Sequence, residues 1–573
     1  MYYKRMIKYL MCINKKNAIK YTLIATSIIF ITSCSKKNDG PDKINNQDKK
    51  PKIINIVNFI RDIEPRDPKI TKEVLYETVV EQVKMMKKYN LKGTFLLQYD
   101  ALVDKRYQEL LKNLPKDQFE IGAWWEIPQP MVKKAGLIWR GRFPWDWHAD
   151  VGFSTGYNPE EREQLADVYM EDFKRVFGYY PKSVASWFID AHTLNYLYEK
   201  YDIVVSANCK DQYGTDGYTL WGGYWNQAYY PSKVNSYMPA QNEESQIPVP
   251  IFRMLGSDPV RQYDTGLESD RQGVITLEPV YKEAGGNKEW VDWYFKEFIN
   301  GESMEYAYTQ AGQENSFTWS AMKKGFHIQL PLIAKLRDEN KVKVETLKES
   351  GFWFKKKYQT TPATSVTVTT DMKGSDMKTV WYNSRFYRAN LLWENNSLRF
   401  RDIHVFDEDI ESSYLTKPVA SNQALFFTQP IIDGFLWSKA NDLAGLRFKI
   451  MEQGKESLII GKTPKVTSPE HGVLRVSWPI KNHEAKLILV FEEQGIQLKM
   501  ETGENLIWYL DFTAPKEVDL PYTSITNNQI NCNFQGHAYT FKASTGNFSV
   551  PDSCTVYRIT PKENIINVSF SSN

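Results

Sequence analysis

The chain has 573 residues, 42% apolar and 25% charged, a balance that excludes wholesale disorder. Its formal charge of +3 comes from the first 34 residues, where Lys4, Arg5, Lys8, Lys15, Lys16 and Lys20 stand without an acid. The remainder holds 66 basic against 69 acidic groups, which argues against nucleic acid as a partner, since such binding needs a basic field.

In chain order, the basic start leads into an apolar run from Tyr21 to Ile31, too short to span a bilayer and of signal-peptide type. The ending Ile31-Thr32-Ser33-Cys34 resembles a bacterial lipobox, which implies a signal over 1–34 and lipidation at Cys34. Residues 35–52 are polar and read as a flexible tether. The mature protein is therefore expected to be extracytoplasmic and lipid-anchored to a bacterial membrane, at the outer membrane or cell surface. Cys532 and Cys554 can pair there, although sequence does not establish the bond.

From 53 to 360 strands and helices alternate. Ile53–Arg61, Lys92–Tyr99, Phe119–Ile127, Ser183–Asp190, Ile203–Cys209, Pro250–Leu255, Gly273–Val280 and Met304–Gln310 read as strands. The best-signalled helix follows Asn158 as cap, has Pro159 in its first turn and ends at Gly178. Val342–Lys357 is a last strand-and-helix pair or a linker. The order predicts an α/β domain, a (β/α)7-8 TIM-like barrel. From 361 to 573 short alternating runs predict an all-β, sandwich-like domain.

A parallel barrel carries its site where the strands end. Carboxylates dominate those positions, and Glu126, Asp190, Glu278 and Glu314 are the catalytic candidates. Glycosidic hydrolysis needs two carboxyl groups, one as acid and one as nucleophile or base. Each has a bland alternative: Asp190 can cap a helix, Glu314 can sit in a solvated turn, Glu126 can serve a loop salt bridge, and Glu278 can be a paired core charge. Trp124, Trp125, Trp145, Trp147, Trp221 and Trp225 lie in apparent loops and suit stacking on sugar rings, or else form a private loop core. Arg140 and Arg142 can bind an acidic substituent or balance nearby acids. Three His in the barrel region, with no His-x3-His pair, give weak grounds for a metal there, and no cofactor is expected.

Gly93-Thr94-Phe95, Glu120-Ile121-Gly122 and Val344-Glu345-Thr346-Leu347-Lys348-Glu349 resemble the polysaccharide-deacetylase and family-57/family-38 glycosidase group. The resemblance covers residues 53–360 and implies an incomplete barrel acting on carbohydrate. The deacetylase pattern has paired Asp after strand one and His-x3-His after strand three, where this chain has Arg61-Asp62 and Ala123-Trp124-Trp125-Glu126. The family-57 arrangement implies Asp190 on a middle strand with Glu278 or Glu314 on a late one. The two-domain layout also resembles a lipoprotein family of Bacteroides-type bacteria to which no activity attaches. The expected function is a glycoside hydrolase acting on poly- or oligosaccharide through two carboxylates without a metal. The rivals are a non-catalytic glycan-binding lipoprotein and a divergent metal-dependent deacetylase.

Overall fold

The computed structural model describes residues 50–551 and 555–572. The signal, Cys34, most of the tether and Cys554 lie outside the described residues; Cys532 and Cys209 are buried free thiols. Among the described residues no helix is long and apolar enough to cross a membrane.

The strands of the first part are β1 (Lys52–Ile60), β2 (Gly93–Leu97), β3 (Phe119–Trp124), β4 (Ser183–Ala185), β5 (Val205–Asn208), β6 (Gln212–Thr215), β7 (Tyr218–Trp221), β8 (Ala228–Tyr229), β9 (Ile251–Arg253), β10 (Ala307–Ala311) and β11 (Lys343–Glu345). Parallel pairing runs β10-β1-β2-β3-β4-β5-β9, with β8 antiparallel on β9 and β11 beside the start of β1. Seven parallel strands thus form a nearly closed barrel. Its seam, between β9 and β10, is bridged by a side chain. The Gln227 amide accepts from Tyr308 N at 3.0 Å and donates to Tyr308 O at 3.3 Å, standing in for a strand partner.

Both faces of β1 are buried, which is why it reads as one apolar run. Ile53, Val57 and Phe59 point into the barrel with Leu96, Trp124, Ala207 and Phe252, whereas Ile54, Ile56 and Ile60 meet the surrounding helices. The helix Pro159–Phe177 starts as expected: Asn158 Oδ1 accepts from Glu161 N at 2.9 Å, Glu161 Oε2 accepts from Asn158 N at 3.0 Å, and Gly178 ends it at φ +84°.

The motifs that carry the family resemblance hold the fold together. Thr94 Oγ1 donates to Glu120 Oε2 at 3.1 Å and accepts from Leu347 N at 2.9 Å, and Glu120 Oε2 also accepts from Lys348 N at 2.8 Å. A buried carboxylate thereby satisfies the first turn of the helix Leu347–Lys357 and ties it to β2 and β3. Val342–Lys357 is accordingly a strand-and-helix pair. The expected strand Gly273–Val280 is instead a loop with one bridge, Ser257 to Thr276.

The second part begins with β12 (Thr364–Val368), β13 (Lys378–Asn383), β14 (Tyr387–Glu394), β15 (Ser397–Val405), β16 (Ala424–Phe427) and β17 (Gln429–Asp433). Two antiparallel sheets of ten and eight strands face each other as a sandwich, with alternating burial along strands such as Gly495–Thr502. Their shared core includes Tyr382, Phe400, Phe448, Trp478, Phe491, Phe512 and Phe570. The described residues from Lys50 onward form one compact unit. The join is intimate, because β16 pairs in parallel with β7 of the β6–β7 hairpin that leaves the barrel after β5.

Candidate active site

At the C-terminal end of the barrel a cleft of about 320 Å³ opens between the loops after β1, β9 and β10 and the β6–β7 hairpin. Glu64, Glu278 and Glu314 supply buried carboxylates to it, and Trp187, Tyr218, Tyr281 and Phe317 supply aromatic surface. Arg66 and Arg271 also line it. A groove of about 610 Å³ elsewhere includes Glu305, which precedes β10 at the other end of the barrel, so it is away from the strand ends that build a barrel site.

Two of the expected acids, Glu278 and Glu314, therefore share the cleft, in contrasting surroundings. Glu278 Oε2 accepts from Thr276 Oγ1 at 2.6 Å and Oε1 accepts from Gln313 Nε2 at 2.9 Å. Both partners are neutral, and burial pushes the Glu278 carboxyl above the usual carboxylate range despite the opposing field of the buried Lys210. Glu314 Oε1 accepts from Ser316 Oγ at 2.7 Å, and Oε2 lies 2.9 Å from Arg61 Nη1. Burial raises Glu314 as well, but the guanidiniums of Arg61 and Arg66 oppose it. The same Gln313 that donates to Glu278 accepts from Glu314 N at 2.8 Å, so one side chain links the two acids. Backbone strain flanks both: Leu255, on whose carbonyl Leu277 N rests, has φ +74°, and Thr318 has φ +64°.

Glu126 lies deeper. It is fully buried and holds Arg61 in a two-bond grip, Nε to Oε2 at 2.8 Å and Nη2 to Oε1 at 2.6 Å, while Gln98 Nε2 donates to Oε2 at 3.1 Å. Arg61 is thus the hub, gripped by Glu126, touching Glu314, 3.9 Å from Glu64, and stacked 4.1 Å over the Trp145 ring. Asp190 takes the cap role. Its oxygens accept from Thr193 N at 2.8 Å, Thr193 Oγ1 at 2.7 Å and Ser154 Oγ at 2.6 Å, and Arg162 Nη1 lies 2.9 Å away. It does not line the cleft.

The loop tryptophans pack inward. Trp124 stacks on Phe59 at 4.1 Å, Trp125 meets Tyr169, and Trp145 is covered by Arg61 and Arg66. Trp225 stacks on Trp381 at 4.3 Å, and Trp221 is buried against Phe435 and Tyr263. Trp147 is half-buried beside Phe143 and Arg142. Arg140 donates to Gly156 O at 2.6 Å, and Arg142 is bound by Asp146. None of these eight residues lines the cleft. The tryptophan that does is Trp187, seated edge-on against Trp124 at 5.1 Å. Sequence reasoning gave Arg61, Arg66 and Gln313 no role; a buried-strand run that ends in Arg-Asp-x-Glu was the available signal.

A metal of the kind that the deacetylase resemblance implies does not fit these strand ends. A guanidinium, itself a cation, is engaged by Glu126 and Glu314 there, and among the described residues no imidazole joins the cluster.

The family model for DUF3863, a domain of unknown function with a solved structure, matches residues 149–387, a stretch that runs from the second half of the barrel into β14. No curated protein matches the chain. Among solved structures, a candidate glycoside hydrolase/deacetylase from Parabacteroides distasonis is 16% identical with a TM-score of 0.50, covering 67% of this chain and 91% of that one. A candidate polysaccharide deacetylase from Mycobacterium smegmatis is 12% identical with a TM-score of 0.34, covering 54% and 91%. A GH57 branching enzyme from Thermococcus kodakaraensis is 10% identical with a TM-score of 0.29, covering 54% and 71%. The first likeness is one of fold; the other two carry no argument. What the chain shares with known proteins is thus a match to the DUF3863 model over residues 149–387 and a fold like that of the Parabacteroides protein over 67% of its length.

Proposed function

We propose that the protein is a glycoside hydrolase that cleaves a poly- or oligosaccharide in the cleft between Glu278 and Glu314. The observation that carries this reading is the unequal environment of two buried carboxyls on one cleft: burial raises both, but Glu278 has neutral hydrogen-bond partners whereas Glu314 faces a guanidinium, the kind of contrast that separates an acid from a base. Glu278, with neutral partners, keeps its proton and donates it to the glycosidic oxygen as the C–O bond breaks. Glu314, facing Arg61, is the ionised partner that attacks the anomeric carbon or takes the proton of the attacking water. Trp187 and Tyr218 offer faces for a sugar ring. The fold likeness to the Parabacteroides glycoside hydrolase/deacetylase candidate supports carbohydrate as the substrate class. The Thr-Ser-Cys34 ending, outside the described residues, supports a lipid-anchored, extracytoplasmic setting.

The Arg61–Glu314 contact also favours a second reading, a glycan-binding barrel whose base is neutralised. A glycan panel tests both, with Glu278→Gln and Glu314→Gln beside the unaltered chain. Cleavage lost in both variants is the expected result. Binding without cleavage by the unaltered chain selects the second reading.

A further inference from the structure

We propose that Asp402, His404 and Asp433 hold a divalent first-row transition ion that fastens the hairpin wall of the cleft to the β region. Asp402 and His404 stand two apart on β15, hence on one face, and Asp433 at the end of β17 is the register partner of Asp402. The register slips beside them, Ile403 opposing Ile432 and His404 opposing Pro430, so the extra residue, Ile431, belongs to β17 and β15 keeps its alternation. Nε2 of His404 is 3.2 Å from Asp402 Oδ1 and 3.3 Å from Asp433 Oδ2. All three side chains are at most 1% exposed.

The hydrogen bonds around the imidazole settle which nitrogen carries its proton. Thr428 Oγ1 gives its single hydrogen to Gly222 O at 2.8 Å. Toward His404 Nδ1, 2.9 Å away, it is therefore an acceptor, and Nδ1 is the N–H. In the neutral ring the Nε2 lone pair then faces two carboxylate oxygens. Nε2 and Asp402 Oδ1 are buried with no hydrogen-bond partner among the described residues. Three electron-rich atoms turned on one another, out of water, need a positive charge between them, a metal ion or a proton on Nε2, and it is the metal ion that we propose. The remaining oxygens are occupied in ways that orient the set. Asp402 Oδ2 accepts from Tyr263 OH at 2.9 Å and Arg388 Nη2 at 2.5 Å. Asp433 Oδ1 accepts from Phe435 N at 2.9 Å and Leu436 N at 2.7 Å. Among the described residues the ion-pair partner of Asp433 is His404 alone, with no Arg or Lys. One imidazole with two carboxylates is a donor set for Zn²⁺, Mn²⁺ or Fe²⁺, with at least one coordination position left for a further donor.

The position indicates what such an ion does. Trp221 Nε1, at the end of β7, donates to Asp433 Oδ2 at 2.7 Å, and Gly222 follows it. A Cβ on Gly222, which has φ +87°, would meet His404 Nδ1 at 2.3 Å and Thr428 Oγ1 at 2.2 Å, so the hairpin lies directly on the ring. Tyr218, at the other end of β7, lines the cleft.

The test is metal content per chain in untagged full-length protein grown with added Zn²⁺, Mn²⁺, Fe²⁺ or Co²⁺, with Co²⁺ d–d absorption as the signature of ligation. One ion per chain is expected, with the cobalt bands lost in His404→Gln and Asp433→Asn. Thr428→Val, which removes the acceptor that orients the ring, is expected to keep the ion with about 10- to 100-fold weaker affinity. Metal well below one ion per chain from every medium overturns the proposal and leaves a proton shared by His404 and the carboxylates as the occupant. Full metal in both ligand variants overturns it too. If those variants do not fold, the unaltered protein decides through its metal count and through imidazole coordination in X-ray absorption of the cobalt form.

Discussion

Arg61→Met is the most informative perturbation of the cleft. The methionine fills similar length without charge, and it leaves Glu126, Glu314 and Glu64, all buried, without the cation that joins them. Arg61 is itself almost inaccessible, so solvent does not screen the loss. Removing one partner of a buried ion pair costs about 3–5 kcal/mol, most of it the burden of the charge left behind. The Trp145 contact at 4.1 Å adds about 1 kcal/mol more. Arg66 remains to pair with Glu64, so the lower half of the range is expected. The assay is denaturant unfolding at several pH values. Carboxylates left unpaired in a buried site have folded-state pKa values above their unfolded ones, so the deficit is absent well below pH 4 and grows as pH rises through the unfolded carboxylate value of about 4.3. Arg61→Met/Glu126→Met removes both charges and should recover much of the loss. A deficit under about 1 kcal/mol at pH 7, or one unchanged between pH 4 and 7, would refute the hub role of Arg61.

Glu278→Gln and Glu314→Gln should each lower kcat by about 10²- to 10⁴-fold on the correct glycan, and only Glu278→Gln should abolish the alkaline limb of the pH profile, because the proton on Glu278 is the one lost there. The same raised pKa means that Glu278 weighs against the fold as pH climbs past the unfolded carboxylate value, so thermal unfolding of Glu278→Gln at pH 7 should come no lower than that of the unaltered chain. Trp187→Ala should reduce kcat/KM or glycan affinity by about 2- to 10-fold, whereas Trp147→Ala, away from the cleft lining, should leave both unchanged. Asp190→Ala should cost about 3–5 kcal/mol in denaturant unfolding by stranding Arg162 and uncapping a helix; an effect below 1 kcal/mol would deny it that structural task.

The architecture was legible where one signal had one meaning. The Asn158-Pro159 cap, the Gly178 stop and the doubly buried β1 are local patterns with local causes. The pairing of Glu278 with Glu314 was half legible: both were named as acids, but the strand expected to present Glu278 is a loop held by Leu255 and Gly256 carbonyls, and nothing local to Val274–Val280 encodes that. The tryptophans left two readings open, sugar stacking or a private loop core, because sequence cannot tell an aromatic loop that faces a ligand from one that folds onto itself. Trp145 is buried by two arginines more than 70 residues upstream, and Trp225 by Trp381 of the β region. Arg61 was given no role for the same reason: a cation at a strand end has no visible role until the three acids around it are brought in from β3, β10 and its own loop.

The barrel's open seam is tied to the β region. A seven-stranded parallel barrel leaves an edge between β9 and β10, and an exposed edge invites wrong pairing unless it is covered. Here β8 covers part of it, Gln227 bridges the gap to Tyr308, and Trp225 just before is clamped by Trp381. The chain between β5 and β9 is therefore committed to the β region, and its first turn, the β6–β7 hairpin, takes β16 as a third strand. That hairpin contributes Gln212, Thr215, Asp216 and Tyr218 to the cleft. Arg253 at the end of β9 and Arg388 on β14 grip opposite oxygens of Asp211, which anchors the hairpin's base from both sides. The cleft and the seam thus depend on one set of contacts. A barrel expressed alone, ending near residue 360, would lose the partner of β7 and the clamp on Trp225 together, and should lose the cleft's wall before it loses its strands.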